Sequence, residues 1–159
     1  MLLHSPFLFG YAKPVPVNFN RLEPRRLGMF MVALAGPGTN IILAVISALL
    51  LHIDVITTPE QSPWIFLNLY RALTINCVLA VFNMLPILPL DGGRVVDSLL
   101  TGQVKRAFGR VERYGIVIVL VLFMLLPLLG FDVFQQIIGP PVFWLVEKIL
   151  MLTGNGSMQ

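Results

Sequence analysis

Charge is scarce in this sequence. Only 12% of its 159 residues are Asp, Glu, Lys or Arg, against roughly 25% in an ordinary soluble domain. With 57% hydrophobic residues and a mean hydropathy of +0.85, the apolar surface exceeds what one aqueous core of this length can hide, which excludes a water-soluble globule. The chain has one cysteine, Cys77, so no intrachain disulfide forms, and its place in an apolar run suits a small hydrophobe. A basic row with interleaved aromatics is also missing. The net charge of +3 comes from two short clusters between apolar runs, which argues against nucleic acid as a partner. Residues 1–12 lack a basic n-region and a small-residue cleavage site, and Pro6 interrupts their apolar stretch, so they do not read as a signal peptide. No internal repeat of useful length is visible.

What is present is a series of uncharged runs. Leu27 to Leu51 carries no formal charge and exceeds the roughly 20 residues needed to span hydrocarbon. A second run, Ala72 to Leu90, can start as early as Pro63, which places Arg71 inside the helix; a third covers Tyr114 to Phe131. Val133 to Val146 is shorter and interrupted by Gly139, Pro140 and Pro141. The sequence therefore predicts an all-α, polytopic membrane protein, a single membrane domain over 1–152. Its parts are an extended segment over 9–26, transmembrane helices over 27–51, 63–86 and 114–131, a short broken or interfacial helix over 133–152, and a polar tail over 153–159. Lys13, Arg21, Arg25 and Arg26 precede the first span, Asp54 and Glu60 follow it, and Lys105, Arg106, Arg110 and Arg113 lie between the second and third. By the positive-inside rule, 1–26 and 92–113 face the cytoplasm. Trp64 and Tyr70 suit an aromatic anchor at the outer interface.

Three irregular motifs stand out. In Asn83-Met84-Leu85-Pro86-Ile87-Leu88-Pro89-Leu90-Asp91-Gly92-Gly93-Arg94, Pro86 and Pro89 lack amide donors and push the residues before them out of helical geometry, so the chain should leave the helix and run extended. Irregular backbone at membrane depth needs protein or a wet cavity around it, and a carboxylate delivered there is a functional candidate. The plainer reading is that Asp91 caps a helix starting near Gly92; two prolines and two glycines around one acid is more backbone control than a cap requires. In Ala35-Gly36-Pro37-Gly38-Thr39-Asn40, the small residues either kink the first span or let a neighbour approach closely, and Thr39 and Asn40 can bond freed carbonyls. Asn76 and Asn83, seven residues apart, share a helix face suited to interhelical hydrogen bonds. Third, Gly10-Tyr11-Ala12-Lys13-Pro14-Val15-Pro16-Val17-Asn18 reads as extended chain with edge character. It is either an ordinary loop or a strand that pairs with an extended peptide.

Together, in this order and at this separation, GYAKPVPVN, AGPGTN and NMLPILPLDGGR closely resemble the site-2 protease family of intramembrane zinc metalloproteases, in its compact bacterial and archaeal branch without a PDZ domain. The resemblance covers roughly residues 9–130. It implies hydrolysis of membrane-associated peptides in or at the edge of the bilayer with Zn2+ as cofactor, Asp91 as a zinc ligand, and Asn40, Asn83, Pro86, Pro89, Gly92 and Gly93 near the active site. It further implies that Pro14, Val15, Pro16, Val17 and Asn18 hold a peptide or transmembrane-segment substrate. The departure is the HExxH helix of that family, two zinc-binding histidines and a general-base glutamate, which this chain does not carry. Its histidines are His4 and His52, while catalytic zinc takes about three protein ligands. His52 lies beyond the outer end of the first span, some 30 Å of bilayer from Asp91, and His4 alone leaves the site short of a ligand and without a base. The sequence thus reads as the C-terminal portion of such a protease, alone or in a homo- or hetero-oligomer. The rivals are a catalytically inert membrane protein that binds or scaffolds a partner and, last, a small transporter, for which no inverted repeat is visible.

Overall fold

The computed structural model describes residues 25–51, 53 and 62–154. The extended segment expected over 9–26 lies outside them except for its last two residues, and so do Pro14 to Asn18, His4, His52 and the tail from 155 onward.

Helix α1 spans Arg25–Leu51. It stays helical through Pro37, whose missing N–H leaves the carbonyl of Ala33 without its usual intrahelical partner. Helix α2 spans Pro63–Asn83, with Pro63 in the first turn, where an absent donor costs nothing. It closes three residues before the expected end at 86. Pro86 disfavours helical geometry at Leu85, and the last turn tightens as Met84 N–H donates to Ala80 and Val81 carbonyls at 3.2 and 3.1 Å. A short amphipathic helix, α3, follows at Asp91–Leu99.

Helix α4 spans Gly102–Leu128 and begins well before the run expected over 114–131, because an uncharged run marks membrane depth and a helix continues into water on its charged residues. A wide π turn occupies Val121–Leu125. A second π turn, Phe134–Ile138, leads into helix α5, Gly139–Leu152. Gly139, Pro140 and Pro141 thus form the opening turn of a helix, a position proline fits, and the irregularity expected there sits in the wide turn before it.

Three helices, α1 from Arg26, α2 and α4, are long and apolar enough to cross a membrane, so the chain is an integral membrane protein. The core lies where α1, α2 and α5 meet. Ala44, Ala48 and Leu51 pack with Leu73 and Cys77, and α5 adds Val142, Val146, Ile149 and Leu150. Small residues such as Ala44 and Ala48 let helix axes come close, the usual basis of association in lipid. Helix α4 joins through an edge-to-face pair, Phe82 and Phe123, at 5.2 Å between centroids. Many large side chains, Ile42, Ile75, Ile116 and Phe143 among them, are exposed, as lipid-facing residues should be.

Candidate active site

The site is built from the backbone between α2 and α3. Residues 84–90 do not run extended as the sequence suggested. They fold into tight turns, with Ile87 N–H donating to Leu85 carbonyl at 2.8 Å and Leu90 N–H to Ile87 carbonyl at 2.9 Å. Short local bonds satisfy the backbone here because two prolines have removed the donors of a regular ladder. Leu88 is buried, while Pro86 and Pro89 are exposed.

Gly92 and Gly93 are buried and hold the first turn of α3 directly on these turns. A Cβ at Gly92 would overlap the carbonyl groups of Met84 and Leu85, and one at Gly93 would strike the backbone of Ile87 and Leu88. Gly115 of α4 closes the other side, with its bare Cα against the Leu88 carbonyl and the Pro89 ring. The turns that lead into Asp91 are therefore packed between α3 and α4 at three glycines. Gly115 escaped the sequence reading. The available signal was a glycine between Tyr114 and Ile116 in a helix, where it costs about 1 kcal/mol relative to alanine.

Asp91 is the first residue of α3, and Leu90, with φ −66° and ψ 158°, holds the N-cap position without a side-chain cap bond. The plain capping reading is thereby replaced: the carboxylate gains from the positive end of α3 but reaches across to α1. A Cβ built on Gly36 would lie 2.6 Å from Asp91 Oδ2, so the acid rests on the open face of Gly36 and is partly buried there. Two of the three sequence motifs, AGPGTN and LDGGR, thus meet at one point. Gly38 has nothing within 4 Å of its Cβ position and takes no part in the close approach.

The remaining polar residues divide. Asn40 lies one turn beyond Gly36 on the same face of α1 and Asn83 ends α2; both are half-buried. Thr39 Oγ1 donates to the Ala35 carbonyl at 2.7 Å, not to the carbonyl freed by Pro37. Asn76 Nδ2 donates to Ala72 of its own helix at 2.8 Å, in place of the interhelical bond expected. Beside α3 lies a half-polar crevice of about 230 Å³ lined by Met29, Leu88, Arg94, Asp97 and Glu112. Lys105 Nζ fixes its rim with a 2.9 Å ion pair to Asp97 Oδ2 and a 2.9 Å bond to the Asp97 carbonyl.

Among the described residues no three His, Cys, Asp or Glu side chains come together as a metal site, and no histidine is among them. One carboxylate does not meet the ligand count of catalytic zinc, so the described residues do not by themselves fit that ion.

Comparison with known proteins agrees with the motifs. Residues 53–126 match Peptidase family M50. The chain is 37% identical over 120 residues, 73% of this chain and 55% of the relative, to a Bacillus subtilis (strain 168) protein named "Putative zinc metalloprotease YwhC". It is 38% identical over 100 residues, 60% of this chain and 25% of the relative, to "Putative zinc metalloprotease Rip3" of Mycobacterium tuberculosis (strain H37Rv). The chain spans about half the length of the first relative and a quarter of the second. No solved structure matches.

Proposed function

We propose, from the match of residues 53–126 to Peptidase family M50 and the resemblance of the motifs to site-2 proteases, that the chain serves zinc-dependent hydrolysis of membrane-associated peptides, contributing the carboxylate part of the active site through Asp91. The observation that supports this reading is the position of Asp91, partly buried with its Oδ2 against Gly36 of the first span, on a backbone packed so closely at Gly92, Gly93 and Gly115 that no side chain fits there. In this reading the other zinc ligands and the general base come from a segment that is not among the described residues. The same reading assigns Asn40 and Asn83 to the surroundings of Asp91, and assigns Pro14, Val15, Pro16, Val17 and Asn18, whose sequence reads as extended chain, to holding the substrate in strand form. The end of α2 and the start of α4 face the cytoplasm, following Lys105, Arg106, Arg110 and Arg113.

The single donor group favours a second reading, a catalytically inert membrane protein that holds a partner. Zinc analysis separates the two. The chain is purified in mild detergent from its own membranes with whatever accompanies it, as wild type and as Asp91→Asn. The first reading expects bound zinc that falls at least tenfold in the variant, since loss of even an outer-shell partner commonly costs that much. Zinc unchanged by the substitution removes Asp91 from the ligand set, and a wild-type preparation without zinc favours the inert reading.

A further inference from the structure

Helix α4 has two unlike sides. Phe108, Val111 and Ile118 face the turns at Pro86 to Leu88 across a small cavity of about 90 Å³, and Gly115 touches Leu88 on that side. Positions 103, 106, 110 and 113 fall on the opposite side by helical spacing. There Gln103, Arg106 and Arg110 line an open concavity of about 620 Å³, and the Arg113 guanidinium lies 5.7 Å from the Tyr114 ring centroid.

Side-chain pairing among the described residues does not account for this row. Arg106 and Arg110 stand at i and i+4, where like charges destabilise a helix by a few tenths of a kcal/mol. Among the described residues neither forms an ion pair. Glu112, the acid nearest in sequence, belongs to the crevice on the other side. Lys105 is already engaged by Asp97.

The depth of the row names its ligand. The uncharged stretch begins at Tyr114, so at 1.5 Å per residue Arg110 lies about 6 Å and Arg106 about 12 Å outside the hydrocarbon. The headgroup layer is about 5 to 8 Å thick per leaflet, and arginine side chains reach across the difference. Guanidinium groups bind phosphate oxygens in fork geometry. We propose that Arg106 and Arg110, flanked by Gln103 and Arg113, form a binding site for the headgroup of an anionic phospholipid. A zwitterionic lipid offers the same phosphate with a compensating cation, so the row prefers a net negative headgroup. The lipid would brace α4, most of whose surface is exposed, and through Gly115 the turns that lead into Asp91.

The test is native mass spectrometry of the full chain in detergent, titrated with phosphatidylglycerol and with phosphatidylcholine of the same acyl chains. Phosphatidylglycerol should bind at least tenfold tighter. At about a fivefold gain per basic residue near an anionic surface, Arg106→Gln/Arg110→Gln should weaken it about thirtyfold, with circular dichroism showing the same helix content. Arg71→Gln/Lys148→Gln removes equal charge elsewhere and should change binding less than threefold. An equal loss in that control, an unchanged affinity in the arginine pair, or displacement of phosphatidylglycerol by millimolar inorganic phosphate would each overturn the proposal. The last outcome would mean a general anion site.

Discussion

Four glycines with different surroundings allow the clamp to be tested by the same small perturbation, Gly→Ala. At Gly38 the added methyl meets nothing within 4 Å, and removing a helical glycine should stabilise by up to about 1 kcal/mol. At Gly36 it would lie 2.6 Å from Asp91 Oδ2, about 0.8 Å short of the 3.4 Å of ordinary contact. That atom ends a short side chain that can rotate, so the carboxylate should shift by roughly that much at little cost to the fold. At Gly92 and Gly115 the methyl meets backbone, the Met84 and Leu88 carbonyls, which no rotamer can relieve. Overpacking of this kind costs about 1 to 3 kcal/mol, and both positions should lie at the upper end because a helix must move. Unfolding by SDS in mixed micelles, followed through Trp64 and Trp144 fluorescence, should rank stability as Gly38→Ala above or equal to wild type, Gly36→Ala near wild type, and Gly92→Ala and Gly115→Ala well below. If Gly92→Ala unfolds with wild type, or Gly36→Ala falls with Gly92→Ala, the assignment of one glycine to the acid and the others to the clamp is wrong.

Two further substitutions probe other parts of the fold. Ala48 is fully buried between α1 and its neighbours, so Ala48→Leu should cost about 1 to 3 kcal/mol in the same titration by forcing helices apart, whereas Leu49→Ala, on the exposed side, should stay within about 0.5 kcal/mol. Lys105→Ala breaks the 2.9 Å pair with Asp97; at 36% side-chain exposure of the lysine the loss should be about 1 kcal/mol or less and should shrink further in high salt. Equal effects of Ala48→Leu and Leu49→Ala would contradict the packing, and a salt-independent effect of Lys105→Ala would contradict an electrostatic role.

The spans were legible because hydrophobic length is a one-dimensional property: Leu27 to Leu51 must cross or be hidden, whatever surrounds it. The ends were less so. Helix α4 starts at Gly102 because Lys105, Arg106 and Arg110 are good helix formers whose charge says only that they sit in water, and α2 ends at Asn83 because Pro86 acts on the turn before it. The site lies further from the sequence still. Asp91 and its glycines announced a controlled backbone, but whether Gly36 kinks a helix or receives a neighbour depends on which atom arrives, and the arriving atom is a carboxylate 55 positions away. Gly115 shows the same limit from the other side. A glycine inside a span is permissive, and only the Leu88 carbonyl against it turns that permission into a requirement. Each motif thus specified its own backbone, while chemistry at Asp91 depends on two such backbones fitting together, which is why the glycine series, and not the acid alone, is the sharper test of how this site is made.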